Sequence, residues 1–254
     1  MMKLTEQVVV ISGASRGLGA EIARAFGREG AKVVVNYFQN EEKAAGVAKS
    51  IGENAITVRA DVRNAEEVRD MFRIARETFG KPVTTIVHNA LVNFKFDPVG
   101  RSQADAIEWD EYERQLTGSV KGGLNLIQAG LEEMKKAEFG RIVTIGTNLF
   151  QNPVVPYHDY TTAKAALLGF TRNMANELGA FGITVNMVSG GLLQTTDASS
   201  LTTPEVFGLI ESVTPRRKVT EPAEVADAVL FFASPWGRAV TGQNLVVDGG
   251  LVMD

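Results

Sequence analysis

Runs of β-branched and aliphatic residues recur along the chain, separated by longer stretches in which apolar positions return every three or four residues. Val8–Ser12, Lys32–Tyr37, Ala55–Arg59, Thr84–His88, Arg141–Gly146, Ile183–Val188 and Asn244–Val247 read as strands. Most are continuous rather than alternating, the pattern of strands covered on both faces. Gly17–Arg28, Glu41–Ile51, Ala65–Phe79, Trp109–Lys136 and Tyr160–Phe181 read as helices. The alternation predicts an α/β fold: a parallel sheet, helices on both faces and right-handed crossovers. No repeat or linker divides the 254 residues, which suit a single domain, 1–254. Two stretches break the rhythm. Leu91–Glu108 is polar and irregular and follows the fourth strand; Gly190–Thr220 is rich in Gly, Ser, Thr and Pro and follows the sixth. Both leave carboxyl ends of strands, where open α/β sheets bind ligands. Loops of that length are binding segments or plain surface.

Composition narrows the chemistry. There is no cysteine, which excludes disulfides, thiolate metal sites and cysteine nucleophiles. The two histidines, His88 and His158, lie far apart, so no histidine-rich metal cluster is expected. A net charge of −4 gives no general drive toward nucleic acid or an anionic membrane. The polar start of the chain has no cleavage-like flank, and no run of about 20 apolar residues occurs. A cytoplasmic protein without a metal is the expectation.

The first strand runs into Gly13-Ala14-Ser15-Arg16-Gly17-Leu18-Gly19 and then a helix. Glycines there permit a tight turn and close approach to a ligand, and the helix start offers free N–H groups and the positive dipole end to a pyrophosphate. The spacing is G-x-x-x-G-x-G, and the strand–turn–helix context is the one a dinucleotide loop requires. The loop is followed by a second strand ending Val35-Asn36-Tyr37, without the acid that would accept from a ribose 2′-hydroxyl. Asn36 is expected to donate to a 2′-phosphate and Arg16 to pair with it, which selects NADP(H). The competing reading makes Arg16 a solvated residue and brings Glu41 or Glu42 to the ribose.

Tyr160 and Lys164 are four residues apart at the start of a helix, so they share one face. Carbonyl reduction needs a hydride donor and a proton donor, and a free tyrosine (pKa ~10) exchanges protons poorly near neutrality. A neighbouring ammonium at about 4 Å, at an effective dielectric near 20, supplies roughly 4 kcal/mol, enough to lower a phenol by ~3 units. Thr147 precedes Tyr160 by thirteen residues, at the end of the fifth strand. Tyr157-His158-Asp159 invites an acid–base reading, but adjacent residues do not face each other; the tripeptide reads as the substrate-side loop before the helix.

These motifs together resemble the short-chain dehydrogenase/reductase family along essentially the whole chain. Ser12-Gly13-x-x-x-Gly17-x-Gly19 is similar to its nucleotide loop, and Tyr160-x-x-x-Lys164 to its active-site motif. Asp61-Val62 resembles the adenine-contacting pair; His88-Asn89-Ala90-Leu91 resembles its N-A-G sequence with Leu91 in place of Gly. Gly190-Gly191, with Leu193 and Thr195 beyond, occupies the place of its P-G-x-x-x-T motif, and Val247-Asp248-Gly249-Gly250 matches its ending. The resemblance implies a Rossmann-type doubly wound sheet of seven strands in the order 3-2-1-4-5-6-7. It implies an NADP(H) site built from Gly13, Ser15, Arg16, Gly17, Leu18, Gly19, Asn36, Tyr37, Asp61, Val62, Asn89, Ala90, Tyr160, Lys164, Gly191, Leu193 and Thr195. It gives Lys164 a hold on the nicotinamide ribose and Thr147 a hydrogen bond to the substrate carbonyl. Gln115 takes the place of a family Asn that supports a proton-feeding water.

Within the family the likeness is to bacterial 3-oxoacyl-[acyl-carrier-protein] reductases, implying reduction of a β-keto thioester and a homotetramer. Carrier docking needs a basic rim. The places concerned read Glu138-Phe139 and Ala180-Phe181, with Lys135, Lys136 and Arg172 nearby. The insertion 91–108 mixes Phe94 and Phe96 with charges and leads to Trp109; it lines a different substrate cleft or caps the domain. A dehydrogenase of a sugar, polyol or other secondary alcohol, and a nucleotide-sensing regulator without catalysis, are the competing functions; intact Tyr160, Lys164 and Thr147 oppose the second.

Overall fold

The computed structural model describes residues 2–253 apart from 93, 95, 98, 99, 195, 197 and 198. Seven strands, β1 (Val8–Ile11), β2 (Lys32–Tyr37), β3 (Ala55–Arg59), β4 (Thr85–His88), β5 (Gly140–Thr147), β6 (Ile183–Gly190) and β7 (Asn244–Val247), form one sheet in the order β3-β2-β1-β4-β5-β6-β7. Every neighbouring pair is parallel. The expected order is the observed one. β5 and β6 have the longest register, from Gly140 beside Ile183 to Thr147 beside Gly190.

The two-residue period of the strands sorts their side chains into two cores. Val9, Ile11, Val33, Val35, Val87 and Val143 face one side, against Ile22 and Phe26 of α1 (Gly17–Arg28), Val47 of α2 (Glu41–Ile51) and Val229 and Phe232 of α8 (Pro222–Ala233). Val8, Val10, Val34, Ile86, Ile142 and Val185 face the other, against Met71 and Phe72 of α3 (Ala65–Phe79), Leu126 and Ile127 of α5 (Gly122–Lys136) and Leu178 of α6 (His158–Leu178). Continuous apolar strands were the right sign of burial on both faces.

Three departures from the sequence reading have physical causes. The helix expected over Trp109–Lys136 is α4 (Trp109–Leu116), a π turn over Thr117–Lys121, and α5. The turn brings the Ser119 carbonyl to His88 Nε2 at 2.8 Å, and such insertions are frequent at functional sites. The stretch 190–220 is not irregular throughout: it contains α7 (Pro204–Val213), opened by a proline in its first turn. α8 was not among the expected helices, although Pro222 and a capping box between Glu221 and Glu224 mark its start.

Phe26 is fully buried where α1 packs on α8 and the sheet. Phe26→Ala should therefore cost about 3–5 kcal/mol of stability, read as a lowered urea midpoint at constant slope.

Candidate active site

The nucleotide loop is held by side chains that close the backbone groups left open at the end of β1. Ser12 is buried; its hydroxyl oxygen accepts from the N–H groups of Asn89 and Ala90, both at 3.0 Å. The Asn89 amide donates to the carbonyls of Ser12 (3.0 Å) and Gly13 (3.1 Å). On the other flank, the Asn36 side-chain oxygen accepts from Gly13 N at 3.2 Å, and the Asn36 carbonyl accepts from Ala14 N at 2.8 Å. Gly13 has φ +64°, and a Cβ there would meet Ala90 Cα at 2.9 Å. A Cβ on Gly19 would lie 2.4 Å from the Gly13 carbonyl oxygen. With no side chain at either place, the loop lies flat ahead of α1, whose first N–H groups face it. Ser15 and Leu18 are half-buried here and Arg16 is exposed at the helix cap. The cradle fits a pyrophosphate.

The expected role of Asn36 is corrected. Its amide nitrogen is spent on the carbonyls of Ala60 (3.0 Å), Val58 (3.3 Å) and Tyr37 (3.4 Å), and the residue is 2% exposed. It braces the loop from within the sheet and has no donor left for a 2′-phosphate. Tyr37 is likewise buried; its hydroxyl bonds Glu41, and burial raises its pKa. The cations that the structure brings to this edge are Arg59 and Arg63, 5.3 and 5.9 Å from the exposed Phe38 ring. They escaped the sequence reading, although they flank Asp61 by two residues on either side. Arg63 grips the Asp61 carboxylate at 2.7 Å and holds it below the usual carboxylate range. The Val62 carbonyl accepts from Asn125 at 2.8 Å, which fixes this pair against α5.

The structure brings Thr147, Tyr160 and Lys164 together. Thr147 ends β5, and its hydroxyl hydrogen-bonds that of Tyr160. Lys164 lies one turn further along α6, with Nζ donating to the Ile145 carbonyl at 2.7 Å and standing 5.8 Å from the Tyr160 ring centre. All three are buried. Burial pushes Tyr160 up to about 12, against a smaller opposing effect of the Thr147 bond, and pushes Lys164 down to about 8. The lowering of Tyr160 expected from a nearby ammonium is absent from this arrangement. The amine is turned onto β5, and loss of water outweighs what charge at that distance supplies.

His88 sits behind the lysine. Its Nε2 donates to Ser119 O, which leaves Nδ1 to accept from the Ser12 hydroxyl at 3.2 Å. Burial first, and the Lys164 charge second, hold it at about 4. Gln115, offered as the support of a proton-feeding water, donates instead to Val92 O at 3.0 Å and ties α4 to the loop after β4. Gly191 lies over a buried pair, Asn148 Nδ2 donating to Asp248 at 2.9 Å; a Cβ on Gly191 would meet Asn148 at 3.0 Å. Leu193 pairs with Thr220 in an isolated bridge. Thr195 lies outside the described residues.

The insertion reaches Tyr160. Phe94 stacks on Tyr160 with ring centres 4.4 Å apart, and Phe96 and Tyr157 meet Phe94 edge-on at 5.1 and 5.3 Å. These rings pack into a buried aromatic cluster over Tyr160. The buried Asp159, beside Tyr160 at the start of α6, forms an ion pair with the part-buried Arg101. Among the described residues, no three His, Asp or Glu side chains group to hold a metal, and no helix is long and apolar enough to cross a membrane.

Two outcomes follow from this geometry. Gly19→Ala should weaken NADPH binding at least tenfold in a fluorescence titration, because the added methyl forces the loop off Gly13. His88 binds a proton in the unfolded chain below about 6.5 but in the native protein only below about 4. Between those values the unfolded state holds more protons, so stability falls as pH falls, by about 3 kcal/mol in all. Urea melts at pH 7 and 4.5 should show this loss, and His88→Gln should reduce it.

Comparison with known proteins agrees with the geometry. A family model described as enoyl-(acyl carrier protein) reductase matches residues 13–252. A 3-oxoacyl-[acyl-carrier-protein] reductase of Synechocystis is 32% identical over 259 residues, covering 100% of both chains. Another, from Vibrio cholerae, is 32% identical over 99% of this chain and 100% of its own. A gluconate 5-dehydrogenase from Burkholderia cenocepacia, solved in complex with NADP and tartrate, superposes with a TM-score of 0.87 at 27% identity, over 98% of this chain and 96% of that one. With its seven-stranded sheet, its glycine loop and its Thr147, Tyr160 and Lys164 in one buried cluster, the chain belongs to the short-chain dehydrogenase/reductase family of oxidoreductases.

Proposed function

We propose that the protein is an NADP(H)-dependent carbonyl reductase acting on a 3-oxoacyl thioester. The observation that carries this reading is the hydrogen bond between the Thr147 and Tyr160 hydroxyls inside a dry site. A carbonyl oxygen placed between the two hydroxyls accepts from both. Bound NADPH supplies the hydride. As the carbonyl carbon takes it, the oxygen gains negative charge, and Tyr160 gives up its proton to that oxygen. An alkoxide is a far stronger base than a phenolate, so a neutral phenol held at about 12 still transfers its proton downhill. Reduction needs that neutral form. Lys164, fixed by Ile145 O, stands where its charge meets the phenolate left behind, and in the family manner it holds the nicotinamide ribose. Gly13, Ser15, Gly17, Leu18 and Gly19 cradle the pyrophosphate; Asp61 and Val62 bound the adenine; Asn89, Ala90, Gly191 and Leu193 line the path between.

The phosphate of NADP fits the cationic edge. With Asn36 withdrawn, Arg16, Arg59 and Arg63 are the groups that favour a 2′-phosphate, and no acid ends β2. The substrate class rests on the curated relatives, which carry the 3-oxoacyl name. Docking of an acyl carrier protein has weaker support: Lys136 is paired with Glu132 at 2.8 Å and Lys135 lies over Phe181 at 4.3 Å. A second reading, reversible oxidation of a sugar acid, is favoured by the gluconate dehydrogenase neighbour. The exposed Trp109, stacked on Tyr112 along α4, supports the homotetramer.

Purified protein should oxidise NADPH, and NADH far more slowly, when given acetoacetyl thioester. Tyr160→Phe should lower kcat by at least a thousandfold while NADPH binding persists. Turnover of 5-ketogluconate without turnover of the thioester would establish the second reading instead.

A further inference from the structure

Asp159 is a buried carboxylate that neither proton transfer nor nucleotide binding uses. Its side chain is 4% exposed, and it is met by Arg101 from the segment after β4, itself 16% exposed. The Arg101 guanidinium also lies 4.6 Å from the Phe94 ring centre and 5.8 Å from that of Tyr157. Phe94 in turn lies nearly parallel to Tyr160, 22° from coplanar and 4.4 Å away, and Phe96 meets Tyr160 edge-on at 5.5 Å. One segment thus grips two consecutive residues of α6, Asp159 by charge and Tyr160 by stacking. A buried carboxylate is strongly destabilising without its partner, so Asp159 dictates where Arg101 lies. A desolvated guanidinium near a ring is attracted to it, so Arg101 dictates where Phe94 lies.

We propose that the Arg101–Asp159 ion pair is a positioning clamp that holds Phe94 face-on against Tyr160, so that the proton donor works beneath an aromatic cover from which water is excluded. Arg101 and Asp159 are positioning residues; they act on Tyr160 through Phe94. The inference rests on the reading of Tyr160 as proton donor. The groups around the phenol are Thr147 on β5, Lys164 on α6 with His88 of β4 behind it, and Tyr157, on which Asp97 and Arg101 act in turn. Thr147 and Lys164 are untouched by removal of the clamp, so any change in Tyr160 ionisation reports the cover.

The test reads ionisation directly and needs no substrate. Tyrosinate absorbance is recorded at pH 10, and the share of Tyr160 is obtained by subtracting the matching Tyr160→Phe protein. Three backgrounds are compared: the native chain, Arg101→Met/Asp159→Asn, which removes both charges and leaves none buried alone, and Phe94→Leu, which keeps the ion pair and removes the ring. The native protein should show little Tyr160 phenolate at pH 10. Both variants should show at least tenfold more. An unchanged Tyr160 signal in variants that retain the native near-ultraviolet circular dichroism would overturn the clamp and leave the ion pair a matter of stability alone. If the double variant does not fold, Phe94→Leu decides by the same measurement. Survival of reductase activity in Tyr160→Phe would instead sink the proton-donor reading, an outcome separate from the ionisation result.

Discussion

The backbone at the carboxyl end of β1 constrains everything around it. The strand is wholly buried, and the chain must turn there without leaving amide or carbonyl groups unpaired in a dry interior. Two asparagines and a serine meet the demand. Asn36 arrives from β2, Asn89 from the end of β4, and Ser12 turns its own hydroxyl across to β4. Each bond ties β1 to a neighbour on one side, so the loop is fixed by the same groups that finish the sheet. The nucleotide cradle is therefore a property of the sheet edge. Its rigidity comes from satisfied hydrogen bonds, which in an interior are costly to leave unmade.

The same dryness sets the electrostatics. Tyr160, Lys164 and His88 are all shifted toward their neutral forms, and for each the first cause is loss of water. Charge–charge effects come second, as the Lys164 contribution at His88 illustrates. A site of this kind favours a proton donor that is neutral before reaction and a lysine whose charge is only loosely held. It also makes protonation of His88 expensive, so that the imidazole serves as a fixed bridge from Ser12 to the π turn rather than as an acid. The π turn matters for the same reason: its Ser119 carbonyl accepts from His88 Nε2 as well as from the Gly122 N–H, so the buried imidazole N–H is paired.

Sequence made the sheet legible because burial on both faces leaves one plain mark, unbroken β-branched runs, and helices between them leave another. It made Tyr160, Lys164 and Thr147 legible because helical spacing and the end of a strand place them near one another before any contact is known. Asn36 was read in the wrong direction for a physical reason. The position at the end of β2 fixes which residue stands beside the ribose, but not that its amide turns inward to Val58 and Ala60, carbonyls more than twenty residues away. For Gln115, sequence position did not disclose that its amide nitrogen donates to Val92 O, in the loop after β4. Arg59 and Arg63 carried no motif, and only the pairing of β2 with β3 brings them around Phe38. The helix α8 was missed although its proline and capping box were present, because a segment that is apolar almost all round carries weak periodicity.

What the sheet edge fixes and what it leaves free explains how one architecture serves different substrates. Thr147 ends a strand, Tyr160 and Lys164 open a helix packed on it, and the glycine loop that continues β1 is bonded to the two strands beside it. None of these can move without unpairing buried groups, so the cluster of Thr147, Tyr160 and Lys164 is held in place. Phe94, Phe96 and Arg101 stand off the sheet, and so does α7, whose Val206, Leu209 and Val213 are exposed. Apart from Arg101, which the buried Asp159 requires, they can be exchanged at little expense to the cores on either face. A chain that superposes with a TM-score of 0.87 on a gluconate 5-dehydrogenase while matching reductases named for 3-oxoacyl substrates at 32% identity is what that division of labour produces. Substrate choice then lies in the residues that close over Tyr160. In this protein those are two phenylalanines and a tyrosine beside a part-buried arginine, a largely aromatic cover that the sheet neither builds nor constrains.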